Sequence, residues 1–140
     1  MVETLSRPIQ NESKFQQKVL FRGFETGKTS FTDLDIVREA DRKFVFIGEV
    51  KEMNLDLPYG QRQTMETLLD NPKLLYSVGV LIWHNTPPSK HIDLETDGYV
   101  REIWEDGKWK VIREELMFKD YYDGVIKEKA IKLGINGYKL

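Results

Sequence analysis

Residues 31–69 read FTDLDIVREADRKFVFIGEVKEMNLDLPYGQRQTMETLL, and their centre, FVFIGEVKE, decides the fold. Read as a strand over 43–51, this run puts Phe44, Phe46, Gly48 and Val50 on one face and Val45, Ile47, Glu49 and Lys51 on the other. A strand apolar on both faces belongs in the middle of a covered sheet. Charges are seldom buried unless paired or bound to a metal, so a carboxylate and an ammonium two apart in such a strand call for a purpose. Upstream, residues 30–39 read as a second strand carrying Asp33 and Asp35, also two apart, and ending in the turn-prone Glu39-Ala40-Asp41-Arg42. Pairing the two as a hairpin brings three carboxylates and one lysine to one patch, the makings of a metal site with a charged assistant. Gly48 within the buried run predicts close approach of a backbone or a ligand.

Downstream, Pro58-Tyr59-Gly60 marks a loop, and 61–69 return to helical periodicity with Met65, Leu68 and Leu69 inward. Asp70-Asn71-Pro72 stops that helix, because the residue before a proline is pushed out of the helical region. LLYSVGVLIW over 74–83 is a second strong strand, and 84–98, with His84 and His91, reads as a polar loop. Residues 99–104 and 108–111 form a hairpin about Asp106-Gly107, and 115–133 form a last helix stopped by Gly134. Upstream of the central stretch, 8–24 read as a helix, with Lys14, Lys18 and Arg22 repeating along one side and Glu12 near its start. The pattern predicts one α/β domain over 1–140 with a central mixed sheet flanked by helices.

Forty per cent hydrophobic and 31% charged residues predict a soluble globular chain, and the absence of cysteine excludes disulfides and thiolate zinc sites. No apolar run approaches the ~18 residues that cross a bilayer, and no signal-peptide core opens the sequence, so the expected setting is intracellular, in the cytoplasm, with no membrane partner. The formal charge of −2 argues against a passive nucleic-acid coat. Its distribution is uneven: residues 1–30 carry five basic against three acidic side chains, 108–140 carry eight against five, and 31–107 carry eight against fifteen. An acidic centre between basic ends suits a cation site flanked by arms that touch phosphate, and equally a solvated surface with scattered charge.

Phosphodiester hydrolysis needs a water made nucleophilic near neutral pH and relief of negative charge on phosphate. Divalent metal supplies both, and Mg²⁺ asks for one or two carboxylates plus carbonyl, water and substrate oxygens. A lysine two residues beyond a ligand carboxylate stabilises charge as the reaction proceeds. Glu-x-Lys alone recurs by chance and serves equally as a structural ion pair. The buried strand, the upstream aspartate and the following helix give it weight. Two histidines without cysteine do not make a zinc site.

These residues resemble the PD-(D/E)XK nuclease superfamily, and within it the Holliday-junction resolvase and RecB-like branch. The shared pattern is an aspartate, a turn, an apolar strand running into Glu-x-Lys, and a helix carrying glutamine. Here it reads D35-IVREADRKFVFIG-E49-V-K51, then Gln61 and Gln63 on LPYGQRQTMETLL, then the strand LLYSVGVLI, covering roughly residues 10–83. The resemblance implies a restriction-endonuclease-like αβββαβ core, with the C-terminal hairpin and helix added to it. It implies a Mg²⁺-dependent DNA hydrolase that also accepts Mn²⁺. Asp35 and Glu49 would be metal ligands, with Asp33 as the alternative to Asp35 and the Val50 carbonyl as a third donor. Lys51 would be the catalytic lysine, and Gln61 or Gln63 would position substrate or lysine. Cutting both strands of a duplex would favour a homodimer. The competing expectation is a catalytically silent copy of the fold that binds DNA or protein.

Overall fold

The two-faced apolar run becomes an interior strand. In a computed structural model, which describes residues 34–140, the sheet has five strands in chain order: β1 (Ile36–Ala40), β2 (Phe44–Glu52), β3 (Tyr76–His84), β4 (Tyr99–Glu105) and β5 (Lys108–Val111). β1 and β2 are antiparallel, β2 and β3 parallel, and β3–β4 and β4–β5 antiparallel. Helix α1 (Tyr59–Leu69) is the crossover that the parallel β2–β3 pair requires. The described residues all fall in one compact unit, Thr32–Leu140. None of the described helices is long and apolar enough to cross a membrane.

Both tight hairpins turn on two consecutive residues with positive φ, the conformation that matches strand twist; these two alone separate the paired ends of β4 and β5, whereas Lys43 adds a third between β1 and β2. Asp106 and Gly107 adopt φ of 56° and 82°, and Asp41 and Arg42 adopt 53° and 59° without any glycine. Glu39 supports the second turn by accepting the Arg42 backbone N–H on Oε2.

Each face of the sheet carries its own core. On one, Phe44, Phe46, Val78, Val80 and Ile82 pack against Phe118, Tyr121, Ile126 and Ala130. On the other, Ile47, Leu81 and Trp104 pack with Leu57, Met65 and Leu69 of α1 and the loop before it. The helix seats over Gly79, where an added Cβ would stand 2.8 Å from Leu69 Cδ1 and 3.1 Å from Met65 Cε. At Gly48 a Cβ would meet the Phe46 ring at 3.0 Å and Ile36 Cδ1 at 3.4 Å, so neighbouring side chains occupy the space expected for a backbone or ligand.

Several boundaries differ from expectation. The first strand begins at Ile36, and Asp35 lies in a bend just before it. Leu68 is 50% exposed, because Met65 and Leu69, four apart, suffice to seat α1. His84 ends β3 and is buried, and the loop after it contains a short helix, α2 (Leu94–Asp97). The last helix starts at Phe118 because the residues before it bond along β4: Val100 N–H donates to Leu116 O at 2.8 Å and Met117 bridges to Tyr99. It runs as α3 (Phe118–Tyr121), a π-helical turn (Tyr122–Ile126) and α4 (Lys127–Lys132), with Gly134 following at φ +98°. The helix expected over 8–24, with Glu12, Lys14, Lys18 and Arg22, and the aspartate Asp33 lie outside the described residues.

Candidate functional site

β2 outruns β1: Ile36 pairs with Gly48, and the last four residues of β2 extend past that register. Asp35 closes the gap with a reciprocal pair of bonds. Its Oδ2 accepts the backbone N–H of Val50 at 2.8 Å, and its own N–H donates to Glu49 Oε2 at 3.1 Å. The two carboxylates are thereby held side by side although they lie fourteen positions apart. In an extended strand the N–H and C=O of one residue point to the same edge, so the Val50 carbonyl faces the edge where Asp35 sits. These residues lie at the carboxyl ends of the parallel strands β2 and β3, where open α/β sheets leave room for ligands.

Glu49 is fully buried. Burial, reinforced by the Asp35 carboxyl beside it, pushes its pKa up to about 7, while the Asp35 backbone N–H and the Lys51 charge pull the other way. One of its oxygens, Oε1, is buried with no hydrogen-bond partner among the described residues. An orphaned buried carboxylate oxygen is costly unless something not yet bound completes it. Lys51 is half-buried and shares the α1 face of β2 with Glu49. The structure thus joins Asp35 to Glu49 by hydrogen bonding and leaves Lys51 acting on Glu49 through its charge.

The two helix glutamines separate. Gln63 is exposed, whereas Gln61 is half-buried, and its Oε1 is a second buried oxygen without a partner among the described residues. His84 is occupied locally, accepting the Thr86 N–H on Nδ1 at 3.1 Å, and His91 is exposed.

One arrangement on this face had no counterpart in the sequence reading. Glu102, buried on β4, accepts from Arg62 of α1 at 3.0 Å, and Arg62 also bonds Asp56 at 2.7 Å and lies 4.6 Å over the Trp109 ring. The signal was present: Glu102 stands two residues from Trp104 in the β4 run, so an apolar neighbour on one face implied an inward carboxylate. With its charge matched twice and its plane stacked, Arg62 pins α1 to the sheet.

The donor set of Asp35, Glu49 and the Val50 carbonyl is all oxygen, which fits a hard divalent cation such as Mg²⁺ or Mn²⁺. No group of three or more His, Asp or Glu among the described residues is arranged around one point. The pair suits an ion that takes one or two carboxylates and fills its remaining positions with carbonyl and water oxygens. Comparison with protein-family models, curated proteins and solved structures finds no match to this chain.

Proposed function

We propose that this chain is a metal-dependent deoxyribonuclease with a restriction-endonuclease-like core of the PD-(D/E)XK kind. The observation that carries the proposal is the buried Glu49 carboxylate, held against Asp35 near the carboxyl end of β2 with one oxygen unpartnered among the described residues. Asp35, Glu49 and the Val50 carbonyl would hold Mg²⁺, with Mn²⁺ able to replace it. The bound ion would make a water nucleophilic near neutral pH and offset charge on the phosphate.

The chain's own residues have separate tasks. Glu49 gives up its proton to become a ligand, and its pKa of about 7 couples that step to neutral pH. Asp35 fixes the Val50 amide, which keeps the neighbouring carbonyl turned to the same edge. Lys51, rooted in an interior strand beside Glu49, supplies a positive charge for the phosphate oxygens as bonds rearrange. Gln61, with a buried oxygen free of partners among the described residues, positions substrate or lysine.

A second reading has an observation of its own. Each carboxylate already accepts a backbone N–H, so the pair also serves as a brace that ends the β1–β2 hairpin, as it would in a catalytically silent DNA- or protein-binding module. Incubating the purified chain with linear, circular, single-stranded and branched DNA, with Mg²⁺ or Mn²⁺ and with EDTA, separates the two. Metal-dependent cleavage that EDTA abolishes supports the nuclease. Binding without cleavage in any metal leaves the silent module.

A further inference from the structure

The register between β3 and β4 slips once. Leu81 pairs with Glu102 and Ile82 with Val100, so Arg101 is an extra residue with no partner on β3. Such a bulge bends the strand and re-aims a side chain. The guanidinium of Arg101 comes to lie 4.6 Å from the centre of the Trp83 ring. Trp83 packs against the cluster on the α1 face, the face of Glu49 and Lys51, and it is the register partner of Lys51 across the parallel pair. Lys51, Trp83 and Arg101 therefore form a diagonal line across three strands beside the Asp35–Glu49 pair, with Tyr99 the register partner of Trp83 and Arg101 one to two residues along β4 from that level.

The Trp83 ring is fixed, since its Nε1 donates to Leu55 O at 2.7 Å. Among the described residues, the arginine stacked on it has most of its donors unused. Its single hydrogen bond among the described residues is a long one, 3.5 Å to Ile112 O, and no described carboxylate pairs with it. Arg62 on the same face shows the contrast: it too is stacked on a tryptophan, but two carboxylates neutralise it. A stacked guanidinium has five N–H donors in a rigid fork matched to phosphate, and stacking spends none of them. Two strand spacings and the offset of one to two residues along β4 separate the Lys51 and Arg101 backbones, roughly 11 Å, close to the axial rise of three nucleotides in one strand.

We infer that Arg101, held on Trp83, is a phosphate-binding residue that grips the substrate backbone a few nucleotides from the bond at Lys51. This rests on the nuclease reading for its substrate, DNA. Arg101 is a positioning residue and takes no part at the reacting atoms.

The test uses Arg101→Gln, which keeps a planar group on Trp83 without its charge, and Arg101→Lys, which keeps the charge without the fork. Binding of a short fluorescein-labelled DNA duplex, and of one of its strands, is followed by anisotropy in EDTA across a salt series. Cleavage is measured in parallel with Mg²⁺, and both variants are melted beside wild type. Arg101→Gln is expected to weaken binding about tenfold and to flatten the dependence of log K on log salt by about 0.7 to 0.9, the loss of one phosphate contact. KM should rise with it while kcat changes less than about threefold, and Arg101→Lys should restore the salt slope. A stably folded Arg101→Gln with wild-type affinity and slope overturns the inference and leaves the nuclease reading untouched. Wild-type binding without cleavage in any metal overturns the nuclease reading, and the salt slope still decides Arg101. A wild-type chain that binds neither probe overturns the inference.

Discussion

The backbone N–H of Asp35 donates to Glu49 Oε2 across 3.1 Å, so the residue just before the first strand holds a carboxylate buried in the second. Glu49 is the register partner of Leu81 on β3, and apolar surroundings on that side are why its charge is disfavoured. The consequences can be measured.

Glu49 makes stability depend on pH. Its pKa is about 7 in the folded chain against an ordinary 4.5. Between those values the folded chain holds a proton that the unfolded chain has lost. Its contribution is therefore complete below the lower value and is lost as pH rises through the upper one. The slope reaches at most about 1.4 kcal/mol per pH unit for one proton. Urea midpoints in EDTA from pH 4 to 8 should show a decline that Glu49→Gln flattens. Identical slopes in the two proteins would show that Glu49 does not titrate there.

Metal binding should oppose that decline. Ligation needs the deprotonated carboxylate, so Mg²⁺ or Mn²⁺ should raise the melting temperature more at pH 8 than at pH 6. Glu49→Ala and Asp35→Ala should reduce the shift. A shift of equal size at both pH values, or one kept in Glu49→Ala, would place the ion elsewhere.

Lys51→Ala and Glu49→Ala should fail differently. Losing Glu49 lowers metal affinity and turnover together. Losing Lys51 should lower the cleavage rate ~100-fold or more, the scale of one preorganised electrostatic group. Metal affinity should change little. Single-turnover cleavage beside calorimetric metal titration reads both, and a Lys51→Ala variant that cleaves like wild type would make Lys51 only the structural neighbour of Glu49.

Gln61→Ala should slow cleavage while Gln63→Ala leaves it unchanged, since Gln61 is half-buried with an unpartnered oxygen and Gln63 faces solvent. Equal effects of the two variants would remove Gln61 from the site.

Met65→Ala tests how α1 is held. Met65 is fully buried against Gly79 at the centre of the α1 core. Truncation should cost about 2–5 kcal/mol, seen as a lower urea midpoint at constant m. A loss below about 0.5 kcal/mol would mean that the helix is held chiefly by the Arg62–Glu102 pair.

Local physics made much of this chain legible in advance. Alternation over 43–51 specified an interior strand, since only a sheet covered on both faces hides Phe44 and Phe46 on one side and Ile47 on the other. Asp106-Gly107 specified a tight turn because its backbone readily adopts positive φ. Glu49 and Lys51 had to share a face, since side chains in a strand repeat every two residues. Hairpin pairing brought both Asp33 and Asp35 toward Glu49 without choosing between them; the bond from the Asp35 N–H to Glu49 came only with the fold.

Tertiary structure alone decided the rest. Whether the Glu49 carboxylate is charged near neutral pH depends on what α1 and β3 pack around it, and periodicity carries no dielectric. Gln61 and Gln63 are equivalent in sequence until the helix docks through Met65 and Leu69 and turns one of them inward. Arg62 and Glu102 are forty positions apart, and meet only because the crossover lays α1 along β2 and β3, within reach of β4 for the long Arg62 side chain. Arg101 would follow the strict alternation of its strand, but one slipped residue in the register with β3 brings it onto Trp83, and strand pairing is a property of two segments that neither contains by itself.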